Sequence, residues 1–328
     1  HTLQLRINMT KAFLIGAGAT RAEYPDAPLT SDFFKLLEIH DHRLYRAIEQ
    51  IILPHLNLDA LRDSNIEDVM KLAEEFSPSV KNSFLREVYL AIYELLAENT
   101  GSTEASVLSA LNKTSRLPGT LFHTLVNDHR LNEQDFFMTL NYDLYLDKEI
   151  LRMQGTIDYG ITGDIEHGSR LNLDYHHKRY SVYHLHGALN WQRISDNHIA
   201  ISIGAITPSY VRTGPNLYLV PPGKKEMFPI LKRIWNTAEE RIPNIDELII
   251  IGSSLNPQDQ ELIRLIKYFI KCKGIEKIKI IDYFTHDPNL SDKYTTTLGR
   301  GYKLYPYGFY LNNPRGYPGA IEFIFSEK

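Results

Sequence analysis

The sequence predicts an α/β protein: a parallel, doubly wound sheet with helices on both faces and a mostly helical insertion. Three observations predict it. Short apolar runs at 11–15, 247–251 and 278–281 stop abruptly at glycine or polar residues, as strands buried on both faces do. Helical patterns alternate with the later runs. Between the first run and the next strand, about residues 30–130, the apolar spacing is almost wholly helical.

Taken in order, 11–15 reads as a strand entering a glycine turn at Gly16. Thr30 is expected to cap a helix carrying Phe33, Leu37, Leu44, Ile48 and Ile51 on one face, ended by Pro54. Ser64-Asn65-Ile66-Glu67 has the form of a capping box, serine at the cap and glutamate three residues on. Val69, Leu72, Ala73 and Phe76 follow at helical spacing, and 83–97 repeats the pattern with Phe84, Val88, Ile92 and Leu95. Segments 135–140, 180–185 and 217–220 read as strands, and Pro221-Pro222-Gly223 as a breaker. A helix is expected through Phe228, Leu231, Trp235, Ala238 and Ile242, and another over 257–271 with Leu262, Ile266 and Phe269 inward. The tail, 300–328, is rich in Tyr, Gly and Pro, and its apolar end, 320–325, reads as a strand. Residues 9–328 are expected to form one domain, with 1–8 a tag or upstream extension and Met9 the native start.

Composition narrows the function. The chain has 328 residues, 43% of them hydrophobic and 23% charged, as a globular protein does. No apolar run is long enough for a membrane span, and no signal peptide is expected. The net charge is −4, whereas a chain that neutralises phosphate backbones carries an excess of Lys and Arg, so no direct nucleic-acid ligand is predicted. A single cysteine, Cys272, precludes an internal disulfide and a four-cysteine zinc site and points to the cytoplasm. Its apolar helical neighbours suggest a core position.

Five segments carry chemistry, each ambiguous alone. Gly16-Ala17-Gly18-Ala19-Thr20-Arg21 follows a strand, and such a turn offers backbone N–H groups to a phosphate; a plain tight turn reads the same way, since Arg21 stands where the dinucleotide fingerprint has its third glycine. Asn141, Tyr142 and Asp143 follow the strand 135–140, at the end where open sheets bind ligands, though Asn and Asp also make turns there. His184 and His186 alternate by two, either as proton-transfer candidates or as structural histidines. Gly252-Ser253-Ser254-Leu255-Asn256 sits between a strand and a helix, suited to phosphate or ribose contact or to ordinary capping. Asp282 ends a strand, where an acidic residue accepts from ribose hydroxyls or closes a turn.

Their joint order resembles the sirtuin-like NAD-binding family. The resemblance lies in GAGAT at 16–20, TLNYD at 139–143, HLHG at 184–187, GSSL at 252–255 and IIDY at 280–283, and it spans about residues 11–285. It extends to the prokaryotic antiphage-defence branch through Asn65-Ile66-Glu67, the LHG-x-x-NW block at 185–191, and Pro221-Pro222 ahead of Trp235. The chain departs from the protein-deacylating members. It lacks their paired cysteines, and Pro25-Asp26 is followed by Ala27-Pro28 in place of Phe-Arg.

The resemblance implies a Rossmann-like fold, NAD as substrate, no zinc, and hydrolysis of NAD to nicotinamide and ADP-ribose. Asn141 would position the water or ribose, His186 would act as base, and Asp143 would orient the site and stabilise developing positive charge. Gly16, Ala17, Gly18, Thr20, Gly252 and Ser253 would hold the pyrophosphate region and Asp282 the adenosine ribose, with Arg21, Ser254 and Asn256 also among the cofactor-binding residues. It further implies a homo-oligomer, with a HerA-type ATPase or another defence partner, and a role as a bacterial defence effector. Two other readings stand beside it: an NAD- or ADP-ribose-sensing module without turnover, and a deacylase or ADP-ribosyltransferase. Tyr302, Tyr305, Tyr307, Phe309, Tyr310 and Tyr317 make the tail aromatic, fit either for an interface or for covering the chain's own sheet.

Overall fold

The computed structural model describes residues 9–55, 61–97, 99–112, 121–153, 155–161, 165–167, 179–195, 198–206, 217–220, 228–257, 259–283, 290–307 and 316–326. Its strands are β1 (Lys11–Ile15), β2 (Phe136–Thr139), β3 (Thr156–Asp158), β4 (Ile165–His167), β5 (Arg179–His184), β6 (Gly187–Ser195), β7 (His198–Ile201), β8 (Leu217–Leu219), β9 (Glu247–Ile251), β10 (Ile278–Tyr283) and β11 (Lys303–Tyr307). Seven form one sheet in the order β11-β10-β9-β1-β2-β5-β3, and every pairing in it is parallel. This is the predicted Rossmann-like α/β architecture.

Side chains alternate across the sheet, as period two requires. Ala12 and Leu14 face a core completed by the helices Pro229–Arg241 and Gln260–Lys273. Phe13 and Ile15 face a second core, completed by the helices Leu121–Val126, Tyr145–Arg152 and Gly316–Phe325. A third cluster holds the insertion together: Phe34, Leu37, Ile48, Ile66, Phe84 and Val88 pack with Leu189 and Leu219 of a smaller sheet, ordered β4-β7-β6-β8.

Chain order explains where a ligand can enter. From β1 the chain moves to β2, on to the edge strand β3 and back to β5 between them, all on one side. It then returns to β9, on the other side of β1, and continues to β10 and β11. The reversal lies between the carboxyl ends of β1 and β9, and the diverging connections leave a crevice there.

Several local expectations are corrected. The helix over 31–51 is two helices, Phe33–His40 and His42–Ile52, because Asp41 turns outward to accept from the Leu44 amide at 2.9 Å and caps the second. The first follows Asp32, not Thr30. The cap of Ile66–Ala73 is Asn65, one residue beyond Ser64, accepting from the Glu67 amide at 2.8 Å. The strand at 217–220 pairs antiparallel with β6 in the small sheet. The apolar stretch at 320–325 is helical, with Ala320, Ile321 and Ile324 buried together. A short apolar run has no period that separates the two states. Cys272 is exposed, on the outer side of its amphipathic helix. The tail tyrosines Tyr302 and Tyr305 pack on the chain itself, against Tyr294 and Phe323 with ring centroids 6.1 and 5.1 Å apart. Pro221, Pro222, Gly223, Phe309 and Tyr310 lie outside the described residues.

Candidate active site

The crevice is a cavity of about 690 Å³, and every residue singled out above for catalysis or cofactor contact lines it: Gly16, Ala17, Gly18, Thr20, Arg21, Asn141, Asp143, His186, Gly252, Ser253, Ser254, Asn256 and Asp282. The histidine pair is split, since His184 points elsewhere.

The glycine turns form the floor. The Gly16 and Gly18 amides donate to the carbonyls of Ile251 and Gly252 at 2.9 and 2.8 Å, so the ends of β1 and β9 are stitched together. Gly252 has φ +59°, and a Cβ there would stand 2.1 Å from the Ala19 nitrogen. Only glycine fits that approach. The helix Ala17–Glu23 starts at once, so its first turn faces the crevice.

Asn141 comes off the end of β2. Its Nδ2 donates to the Gly16 carbonyl at 3.1 Å and to the Thr20 hydroxyl at 2.9 Å. The Gly16 carbonyl can only accept, which fixes the orientation of the amide. Asn141 Oδ1 is then left buried with no hydrogen-bond partner among the described residues. Thr20 Oγ1 in turn donates to Asp143 Oδ2 at 3.0 Å, and Asp143 Oδ1 accepts from the Tyr145 amide at 3.0 Å. Burial pushes the Asp143 carboxyl up to about 6, against the opposing pull of the Thr20 hydrogen bond.

His186 follows β5, and its Nε2 lies 3.2 Å from Asp259 Oδ2. Its ring neighbours those of Tyr142 and Trp235, at centroid distances of 6.5 and 6.3 Å. Its carbonyl accepts from the Val220 amide at 2.9 Å, which ties it to the small sheet. His184 is fully buried, with Nε2 3.1 Å from Asp147 Oδ2. Burial opposes its charged form, but the adjacent Asp147 carboxylate outweighs this and holds its pKa above the usual value. Tyr159 also donates to Asp147, at 2.7 Å, so His184 belongs to a closed internal network.

Arg21 braces the segment over the crevice. It donates to the Ala27 carbonyl at 2.6 Å and pairs with Asp32 at 3.0 Å. Asp282, at the end of β10, and the Ser253 carbonyl both lie within hydrogen-bond reach of the Tyr294 hydroxyl, which has one proton and donates to one of them at a time. The sequence reading did not single out Asp259 or Glu67, and both line the cavity. Asp259 was hidden inside the helix expected over 257–271. Glu67 enters the sequence reading as part of a capping box and of the Asn65-Ile66-Glu67 motif, without a place in the site.

Among the described residues no group of three or more His, Cys, Asp or Glu is placed to hold a metal ion, and no helix is long and apolar enough to cross a membrane.

No family model and no curated protein sequence matches the chain. It is similar to solved structures of Sir2-type proteins. A Sir2 homolog–NAD complex aligns over 95% of this chain and 90% of that one, at 15% identity and a TM-score of 0.48. A Sir2 homologue mutant–ADP-ribose complex aligns over 95% and 93%, at 16% identity and a TM-score of 0.45. A Sir2 protein bound to acetylated peptide aligns over 96% and 92%, at 12% identity and a TM-score of 0.42.

Proposed function

We propose that the crevice binds NAD and hydrolyses its nicotinamide–ribose bond. One observation carries this reading. Asn141 is clamped by Gly16 and Thr20 while its Oδ1 keeps an unmet hydrogen bond, in a cavity that also holds a histidine. A buried polar atom without a partner is costly, and a ribose hydroxyl or a water would satisfy it. The five ordered motifs supply the identity of the ligand.

In the proposed reaction the bond between the ribose C1′ and the pyridinium nitrogen breaks. Its electron pair leaves with nicotinamide, which becomes neutral. A water oxygen attacks C1′, and its proton passes to His186 and on to solvent, leaving ADP-ribose. Asn141 would hold the ribose or the water. Asp143 would orient Asn141 through Thr20 and add negative charge near the oxocarbenium-like centre. The glycine turns, with Ser253, Ser254 and Asn256, would take the pyrophosphate, and Asp282 the adenosine ribose. The helical insertion closes the cavity from above and would exclude bulk water.

The reaction needs no metal, so a chelator is expected to leave turnover and melting temperature unchanged. The wider role, a defence effector working as an oligomer or with a HerA-type partner, rests on the motif order alone. The decisive experiment incubates the purified chain with NAD and separates the products. Nicotinamide and ADP-ribose in equal amounts support the reading. NAD binding without products would make the protein a sensor, and turnover only with an acyl-lysine peptide would make it a deacylase.

A further inference from the structure

We propose that Asp259 is the positioning carboxylate of His186, forming an aspartate–histidine pair across the mouth of the cavity. The proposal rests on the reading of His186 as the base. Both side chains are about nine-tenths buried, at 10% and 12% exposure, and both line the cavity. Asp259 precedes the helix Gln260–Lys273, and its Oδ1 accepts from the Leu262 amide at 3.3 Å as the N-cap. Its Oδ2 faces His186 Nε2 at 3.2 Å. One oxygen thus serves the helix and the other faces the imidazole.

That division has chemical consequences. A helix N-terminus favours negative charge, which suits a carboxylate acceptor. A carboxylate can only accept, so it selects the tautomer with the proton on Nε2 and leaves the basic lone pair on Nδ1. When Nδ1 takes a proton, the neighbouring carboxylate stabilises the imidazolium. Tyr142 and Trp235 are the aromatic neighbours of the ring. Asp259 also connects the base to the phosphate-side turn, because its amide donates to the Asn256 carbonyl at 3.0 Å. Closure of that turn on a ligand would then be felt at His186.

The substitution Asp259→Asn separates the roles, since asparagine caps helices as well as aspartate but carries no charge. It is expected to keep the melting temperature and to change KM by less than about threefold. It should lower kcat by roughly 10²–10⁴-fold, the range for a lost acid–base contribution. The full-length chain, labelled with ¹⁵N-histidine, supplies a readout independent of turnover. Wild type should show neutral His186 protonated on Nε2, and Asp259→Asn should shift that population toward Nδ1. A wild-type His186 protonated on Nδ1, or an Asp259→Asn chain with kcat within threefold of wild type, would overturn the pairing. If wild type cleaves no NAD yet shows the Nε2 tautomer and its dependence on Asp259, the pair stands and the NAD reading falls.

Discussion

Asn141 donates to the Thr20 hydroxyl at 2.9 Å, and this contact ties the end of β2 to the helix that follows the glycine turn. The Thr20 hydroxyl in turn donates to Asp143, so the three side chains form a directed chain of hydrogen bonds. The order holds the Asn141 amide in one orientation, with Oδ1 buried and without a hydrogen-bond partner among the described residues.

Thr20→Val keeps the volume but removes the hydroxyl, leaving Asn141 Nδ2 and Asp143 Oδ2 each short of a partner. The expected loss is about 1–3 kcal/mol of stability. Turnover should fall about 10–100-fold, with KM changed less, because ribose orientation is what suffers. Thr20→Ser should restore most of the activity. Steady-state NAD cleavage and urea unfolding measure the two effects, and a Val variant with wild-type kcat would exclude the chain of bonds from the mechanism.

The two histidines should fail in different ways. His186→Ala is expected to leave a folded protein with NAD cleavage lowered about 10²–10⁴-fold. His184→Ala removes the charged partner of a buried Asp147, leaving it only the Tyr159 hydroxyl among the contacts described above, and is expected to cost about 3–5 kcal/mol of stability. Its surviving folded fraction should retain more activity than His186→Ala. Thermal melts paired with activity per folded molecule make the comparison, and the reverse ranking would identify His184 as the base.

Asp143 predicts a pH dependence of stability. Its folded pKa, about 6, lies above the ordinary 3.8, so burial favours the protonated form. A raised pKa contributes stability that is full below the unfolded value and is lost as pH climbs through the folded one. The window is therefore about pH 4 to 6, and a shift of about two units corresponds to roughly 3 kcal/mol. Asp143→Asn lacks this loss. Relative to wild type, the Asn variant should gain roughly 2–3 kcal/mol between pH 4 and pH 7 in urea unfolding. A constant difference across that range would mean the carboxyl is not perturbed.

The sheet was readable because its strands announce themselves: Glu247–Ile251 is apolar except for its first residue and ends at Gly252, and Lys11–Ile15 ends at Gly16. The residues that follow such strands line the crevice, since a parallel sheet places all carboxyl ends on one edge. The partnerships among them were not readable. Nothing local connects Thr20 with Asn141, or His186 with Asp259, because each pair is made only when distant segments meet. Asp259 was further disguised because an N-cap and a helix residue look alike beside Pro257. The break at Asp41 was hidden because Leu37 and Leu44, seven residues apart, fit one continuous helix. The segment of β8 reads as a strand, but the small sheet does not show as a unit, because β4 and β7 are only three or four residues long.

Gly252 offers the sharpest test of the floor of the crevice. Its φ of +59° costs a non-glycine residue roughly 1–2 kcal/mol on its own. A Cβ would also stand 2.1 Å from the Ala19 nitrogen and 2.5 Å from the Gly18 carbonyl carbon, both backbone atoms that no rotamer change can move. Forcing that contact adds the usual 1–3 kcal/mol of overpacking. Gly252→Ala should therefore lose about 2–5 kcal/mol in urea unfolding. The strain has one direction of release. It pushes the start of the helix Ala17–Glu23 away from β9 and stretches the bond from the Gly18 amide to the Gly252 carbonyl. Ala17 and Gly18, among the residues proposed to take the pyrophosphate, sit on that first turn, so NAD affinity should drop by at least tenfold in calorimetric titration of the folded fraction. Ser254→Ala is the companion control, on the same turn but without backbone strain, and should keep the stability within about 0.5 kcal/mol. A Gly252→Ala chain that unfolds and binds NAD as wild type does would show that the two glycine turns do not set the geometry of the crevice.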